Sequence, residues 1–352
     1  MIVVFRSGVS ESDIQRVIER VESRGLRTHL SRGVTRTIVG CIGDERVLVE
    51  AGLKAMPGVE DVIPVQRPYK LASREFLPER SIVGVAGVAF GGRDAVVVAG
   101  PCSVEDLGTL LEIAAGVREA GAAVLRGGAF KPRTSPYSFR GLGEEALEML
   151  GEARRRTGLP VVTEVMDPRQ VERVAQIADM LQIGARNMQN FDLLGEAGQS
   201  RMPVLLKRGM SAQIKELLLA AEYVLSTGNM RVVLCERGIR TFETLTRNTL
   251  DISAVPVLRK ESHLPVIVDP SHAAGRSDIV ADLAVAAVAA GADGIMVEVH
   301  PRPEQARSDG DQALTLRDFD GLMGRVAAVA AAVGRGTGDR TAAAESRTSG
   351  GR

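Results

Sequence analysis

From residue 94 onward the chain repeats one pattern eight times, a short apolar run followed by a helical segment. The runs are AVVVAG (95–100), AAVLRGG (122–128), PVVTEVM (160–166), DMLQIGA (179–185), PVLLKRG (203–209), MRVVLCERG (230–238), LPVIVDPSH (264–272) and GIMVEVH (294–300). Helical segments such as 104–121, 144–158, 211–228 and 277–291 lie between them. Strands this uniformly apolar belong to a parallel sheet covered on both faces, and the alternating helices supply the cover. Eight such units within residues 81–333 predict an α/β fold, the (β/α)8 TIM barrel. A doubly wound open sheet is the alternative, but it usually has fewer strands.

The first 66 residues carry a different pattern. MIVVFR reads as a strand. Ile14, Val17, Ile18 and Val21 then repeat at helical spacing between an N-cap, Ser10, and a terminating Gly25. LRTHLS and TRTIVGCIG read as two strands joined around Arg32-Gly33. A second helix is expected next, with Val49, Leu53 and Met56 on one face, and then a last strand, EDVIPV. The order βαββαβ predicts a small ferredoxin-like domain over 1–66, suited to regulation or oligomerisation rather than chemistry. Residues 67–80 have the polar, proline-bounded composition of a linker, and SIVGVAGVAFGG (81–92) reads as a hairpin punctuated by glycine. The polar end, 334–352, reads as a disordered tail.

Composition removes several function classes. The 352 residues are 45% hydrophobic and 25% charged, as in an ordinary globular chain. Forty-four basic side chains balance forty-four acidic ones, so no net positive field recruits nucleic acid or an anionic membrane. The longest apolar stretch, 283–290, falls well short of the roughly 20 residues a membrane span needs. The N-terminus lacks the pattern of a signal peptide. Three cysteines, Cys41, Cys102 and Cys235, are too few for a disulfide framework and point to a reducing, cytoplasmic setting.

Catalytic groups of a barrel stand at the C-terminal ends of its strands. Those ends supply Cys102, then Arg126 with Lys131 and Arg133, Glu164, Arg186, Lys207 with Arg208, Arg237, Asp269 with His272, and Glu298. Two chemistries separate. Cys102, His272 and Glu298, with Asp309 or Asp311 from the loop after strand eight, make a thiolate, imidazole and carboxylate set suited to Zn²⁺, Mn²⁺, Fe²⁺ or Co²⁺. Any one of them alone reads better as a packed thiol or a hydrogen-bonded loop residue than as a ligand. Their coincidence at strands one, seven and eight, neighbours in a closed barrel, favours the metal.

The second chemistry is cationic. Arg126, Lys131, Arg133, Arg186, Lys207, Arg208, Arg237 and Arg240 imply a ligand with more than one phosphate or carboxylate group. Arg208 and Arg240 also fit solvated surface charge, whereas Arg126 and Lys207 directly end apolar strands. The loop 127–143, stiffened by Pro132 and Pro136, presents Lys131, Arg133, Thr134 and Ser135 to a phosphosugar. Cys235 lies beside Arg237 and is expected to turn away from it into core packing.

The motifs AGPCSVE (99–105), LRGGAFKPRTSPYSFRGLG (125–143), TEVMD (163–167), QIGARNMQNFDLL (182–194), LLKRGM (205–210), CERGIRTFE (235–243), VDPSHAAG (268–275) and VEVHPRPEQARSDGDQAL (297–314) run the length of the barrel. Together they resemble the 3-deoxy-D-arabino-heptulosonate 7-phosphate (DAHP) synthase family, in its shorter bacterial branch with an N-terminal ferredoxin-like regulatory domain. The resemblance covers residues 1–333. It implies metal-dependent condensation of phosphoenolpyruvate with erythrose 4-phosphate and water, with release of phosphate, as the first step of the shikimate pathway.

The resemblance also implies roles. Cys102, His272, Glu298 and Asp309 become the metal ligands. Lys131, Glu164, Cys102 and His272 become the catalytic set, with Glu164 orienting or deprotonating the attacking water. Arg126, Lys131, Arg186, Lys207, Arg237 and the backbone N–H groups of Gly184 and Ala185 fall to phosphoenolpyruvate. Arg133 and Thr134 face erythrose 4-phosphate, and Asp269 faces the substrate or supports a ligand. A homotetramer is expected, with free tyrosine or phenylalanine acting at a polar strand edge through His29 and Ser31.

Three rivals compete. The related octulosonate 8-phosphate synthases take arabinose 5-phosphate, but KPRTS stands here in place of a KANRTS-like loop. A Schiff-base aldolase built on Lys207 needs an uncharged amine. A non-catalytic phosphosugar sensor needs a broken constellation, and no matched position is broken.

Overall fold

In the computed structural model, which describes residues 1–33, 36–43, 47–48, 52–63, 68–131, 137 and 139–337, the first helix starts where Ser10 caps it. The Ser10 hydroxyl accepts from the Asp13 N–H at 3.2 Å, supplying one of the partners a helix start lacks. This helix, α1 (Glu11–Glu22), buries Ile14, Val17 and Val21 against a four-stranded sheet. Each such burial contributes on the order of 1.5–3 kcal/mol. The strands are β1 (Ile2–Phe5), β2 (Arg27–Arg32), β3 (Thr37–Ile42) and β4 (Val59–Ile63), in the spatial order β2-β3-β1-β4. That is the ferredoxin-like arrangement, and its core of Val3, Phe5, Val39 and Leu53 is its own.

The expected second helix is shorter than its spacing predicts. Among the described residues it is a 3₁₀ turn, Leu53–Ala55, and Val49 lies outside them. Gly52 enters the turn at φ +65° and Pro57 follows it, which leaves no room for a full α-helical turn.

Residues Met1–Pro68 form one unit and Tyr69–Arg352 the other. The stretch expected as a linker is therefore mostly packed into the second unit. The Tyr69 hydroxyl donates to Glu261 at 2.6 Å, and the Ala72 N–H donates to Glu222 at 2.8 Å. His263, fully buried, bonds the Leu71 carbonyl with one ring nitrogen and Ser81 with the other, each at 2.7 Å. Part of the polar composition here serves hydrogen bonding to the barrel rather than solvation.

Eight parallel strands close into a barrel: β7 (Val96–Gly100), β8 (Val124–Arg126), β9 (Val161–Val165), β10 (Met180–Ile183), β11 (Val204–Lys207), β12 (Val232–Glu236), β13 (Val266–Val268) and β14 (Gly294–Glu298). Closure is the β14–β7 pairing, in register from Gly294↔Val96 to Glu298↔Gly100. Helices α2 (Leu107–Glu119), α3 (Glu144–Thr157), α4 (Val171–Ala175), α5 (Phe191–Gln199), α6 (Ile214–Ser226), α7 (Ala254–Glu261), α8 (Pro270–Ala274), α9 (Val280–Ala289) and α10 (Leu316–Ala332) alternate with the strands.

Alternate strand residues sort into two cores. Val97, Leu125, Leu181 and Leu206 pack with the helices. Val98, Val124, Val162, Leu205 and Ile267 pack inside the barrel with Val83, Val85, Val88 and Phe90 of the hairpin β5 (Val83–Val85) and β6 (Val88–Phe90). Ala86 and Gly87 turn that hairpin at φ 43° and 91°, as a two-residue turn requires.

Two expectations change here. Cys235 does not turn away from Arg237: it belongs to the inward cluster, because residues two apart on a strand share a face. Core packing remains its setting. The chain also stays ordered beyond 333, since the Gly336 carbonyl accepts from Ala95 at 2.8 Å and Arg335 bonds the carbonyls of Arg93 and Ala292. Residues 338–352 lie outside the described residues. No helix among the described residues is long and apolar enough to cross a membrane.

Candidate active site

The alternation that fills the barrel with valine at one level puts polar side chains inward at the next. Arg126, Glu164, Gln182, Lys207, Arg237, Asp269 and Glu298 are all buried at the C-terminal ends of their strands. At Gly100 the backbone has φ +151°, and a Cβ would sit 2.1 Å from the Arg126 carbonyl oxygen. Only glycine lets β7 turn over β8 there and deliver Cys102 to the rim.

Cys102, His272, Glu298 and Asp309 meet at this rim, with one potential ligand atom from each lying within 4.8 Å of all the others. Asp269 caps α8 by accepting from the His272 N–H at 2.9 Å. It also accepts from His272 Nδ1–H at 2.7 Å, which turns Nε2 to within 3.3 Å of Glu298 Oε1. A carboxylate behind the imidazole fixes ring and tautomer, leaving the Nε2 lone pair for a cation. Burial holds the His272 pKa below its ordinary value, against the pull of Asp269 and Glu298.

The remaining ligand candidates are equally constrained. Lys131 Nζ lies 2.9 Å from Cys102 Sγ, and Arg126 Nη1 lies 2.5 Å from Glu298 Oε1. The thiol approaches Asp309 Oδ2 at 3.0 Å. Burial, then the Glu298 charge, pushes the Cys102 thiol up to about 12 despite Lys131 and Arg126. Burial alone would raise the Asp309 carboxyl, but its contact with Cys102 and the charge of Arg247 hold it well below the usual range. Asp311 is exposed and stands outside the cluster. One sulfur, one nitrogen and two carboxylates, buried or half-buried and propped from behind, fit a divalent cation of intermediate softness.

The cationic half is built differently. Lys207 pairs with Asp269. Arg237 is buried and its Nη1 has no partner among the described residues. Burial, with Arg247 and Arg186 nearby, lowers its pKa against the pull of Asp269. Glu164 accepts from Gln182 at 3.2 Å on one oxygen, while Oε1 is buried and unpartnered among the described residues. Gly184 passes directly over it, where a Cβ would meet Oε1 at 2.0 Å. Beyond that turn, exposed Arg186 borders a groove of about 400 Å³ with Ala185, Gly209, Met210 and Ser211. A buried donor and a buried acceptor without partners are what a polar ligand would complete.

Several expectations are redrawn. Arg208 is not a solvated charge: it is buried, bonding Glu236 at 2.8 Å, Asp251 at 2.9 Å and the Ala212 carbonyl at 2.8 Å. Arg240 is exposed. Arg133, Thr134 and Ser135 lie outside the described residues. His29 and Ser31 are exposed on β2, an edge strand of the first unit. Sequence reasoning missed Arg247, Asn248, Gln182 and Gln312. The loop residues carry no periodic signal, and Gln182 was hidden in an apolar run that an amide interrupts only once.

A closed barrel that gathers residues able to hold a divalent metal beside buried cations at its C-terminal rim has the layout of a class, the metal-assisted enzymes of anionic substrates. Comparison with known proteins narrows it. The sequence profile of the DAHP synthetase I family matches residues 73–330, and that of the DAHP synthase ferredoxin-like domain matches residues 1–67. The phospho-2-dehydro-3-deoxyheptonate aldolase of Thermotoga maritima is 53% identical over 334 residues, covering 95% of this chain and 99% of that protein. The crystal structure of the DAHP synthase from Thermotoga maritima superposes with a TM-score of 0.92 at 52% identity, over 95% of this chain and 98% of that one. A 2-dehydro-3-deoxyphosphooctonate aldolase of Rhodopseudomonas palustris is more distant, 35% identical over 69% of this chain and 90% of its own length. The chain belongs to the DAHP synthetase I family and has the ferredoxin-like domain as well.

Proposed function

We propose that this chain performs DAHP synthesis, the first step of the shikimate pathway, with the rim described above as its active centre. Phosphoenolpyruvate, erythrose 4-phosphate and water are consumed, and DAHP and inorganic phosphate are released. The observation that carries this reading is a sulfur, nitrogen and oxygen donor set on the same barrel rim as Arg237, whose buried Nη1 has no partner among the described residues.

Cys102, His272, Glu298 and Asp309 would hold the metal, Mn²⁺, Zn²⁺, Fe²⁺ or Co²⁺. Bound there, it supplies Lewis acidity toward the aldehyde of erythrose 4-phosphate. Arg126, Lys131, Arg186, Lys207, Arg237 and the N–H groups of Gly184 and Ala185 pair with the phosphate and carboxylate of phosphoenolpyruvate. Arg133 and Thr134 serve erythrose 4-phosphate. Holding both anions fixes the approach of C3 of phosphoenolpyruvate to the aldehyde carbon, which forms the new C–C bond. Glu164, whose Oε1 has no partner among the described residues, orients the water that adds at C2 and takes its proton. The cations then stabilise the phosphate that leaves with its C–O electron pair. Asp269 keeps Lys207 and His272 in place. The same Lys207–Asp269 ion pair disfavours the Schiff-base alternative, which needs a free amine.

The first unit acts as a regulatory module that takes free tyrosine or phenylalanine at His29 and Ser31, in a cytoplasmic homotetramer. Cys102 and Cys235 are buried free thiols, which suits a reducing compartment. A phosphoenolpyruvate-consumption assay with a metal panel tests the central reading. Activity with erythrose 4-phosphate, lost with EDTA and restored by Mn²⁺, is expected. Turnover with arabinose 5-phosphate alone would overturn it.

A further inference from the structure

The loop from Arg237 to Ser253 carries no metal donor, yet it reaches three of the four. Arg247 Nη2 donates to Asp309 Oδ1 at 3.0 Å. Its Nη1 donates to Gln312 Oε1 at 2.8 Å, and Gln312 Nε2 in turn donates to Glu298 Oε2 at 2.6 Å. Asn248 Nδ2 donates to the backbone carbonyl of His272 at 3.0 Å. Two consecutive residues of one loop thus brace Asp309, Glu298 and His272, while Cys102 meets Lys131.

The backbone is built to put them there. After β12 the chain turns at Gly238, φ +84°, where a Cβ would come within 2.8 Å of the Asn248 Cβ. The loop folds back through reciprocal 2.9 Å hydrogen bonds between Ile239 and Thr249. Arg247 and Asn248 then bond the carbonyls of Ala274 and Ala273, at 2.9 and 2.8 Å, alongside the helix that carries His272. Gly275, at φ +69°, permits that approach, since a Cβ would lie 2.4 Å from the Arg247 Cβ. Asp309 itself has φ +53°, a left-handed conformation that few residues adopt unaided, and the Arg247 fork holds its carboxylate.

We propose that Arg247, acting with Asn248 and Gln312, is a positioning clamp that sets the metal affinity of the centre without touching metal or substrate. The proposal rests on the metal reading above. Arg247 is 42% exposed, so its removal leaves the core intact.

The test is Mn²⁺ affinity of the full-length protein, measured by chelator competition, for the wild type, Arg247→Met, Arg247→Lys and Cys102→Ser. Arg247→Met should bind Mn²⁺ about 10–100-fold more weakly, the usual effect of losing a group that orients ligands. Its metal-free unfolding midpoint should stay near the wild-type value, and saturating Mn²⁺ should restore most of kcat. Arg247→Lys, which keeps one donor for Asp309, should fall between. The proposal is overturned if Arg247→Met binds within about twofold of wild type while Cys102→Ser has lost its affinity. Wild-type affinity in Cys102→Ser would sink the metal centre itself, and the clamp with it.

Discussion

The two halves of the barrel mouth are finished to different degrees. On the metal side each donor already has a partner: His272 has Asp269, Glu298 has Arg126 and Gln312, Asp309 has Arg247, and Cys102 has Lys131. On the anion side Arg237 Nη1 and Glu164 Oε1 are buried with none among the described residues. Unpaired buried polar atoms cost about 1–3 kcal/mol each. Such a cost persists where a ligand removes it. A rigid set of donors suits an ion that stays through many turnovers, whereas open valences suit substrates that must leave.

Substitutions on the two sides should separate along that line. Cys102→Ser should have the largest effect, abolishing most activity and metal binding while the fold survives, because a hydroxyl replaces a soft thiolate. Stoichiometric metal with near-normal turnover would refute its role. Arg237→Ala should retain metal and lose about 2–5 kcal/mol in kcat/KM for phosphoenolpyruvate, since the ligand's charge would lose a buried partner. Arg186, exposed at the groove, should cost less when cut to alanine, about 1.5–3 kcal/mol. Metal titrations alongside the kinetics sharpen the contrast. If Arg237→Ala released the metal as readily as Cys102→Ser does, the two halves would be one network.

How far the sequence carried these assignments follows from periodicity. The eight strands were readable because uniform apolar runs punctuate the chain, and strand ends mark the rim whatever the loops do. Cys102, His272, Glu298 and Arg237 could therefore be listed without coordinates. Asp309 was separable from Asp311 only by resemblance, because a loop has no period to decide which carboxylate turns inward. Arg247 and Asn248 were invisible for the same reason: their role depends on the return of a loop to α8. Arg208 misled because a cation after a strand reads as rim charge. Its partners, Glu236 and Asp251, come from an outward-facing strand position and a distant loop. The linker misled because composition reports polarity but not what the polar groups bond.

The smallest effect on turnover should come from removing the first unit. Residues 1–66 enclose their own core of Val3, Phe5, Val17 and Val39, and the barrel closes without them. Deletion of 1–66 should accordingly leave kcat within a few-fold of the full chain. Inhibition is where the deletion should tell. His29 and Ser31 are exposed on β2, the outer strand of its sheet among the described residues, and can offer polar contacts to an amino acid. An effector that binds there lowers activity only if it prefers one of two states of the enzyme, and its grip equals the difference in affinity between them. Loss of the module removes that difference, so tyrosine or phenylalanine should no longer inhibit. His29→Ala in the full-length chain should raise the inhibitory concentration while leaving uninhibited kcat and KM unchanged. A truncated enzyme still inhibited by either amino acid would put the effector site in the barrel.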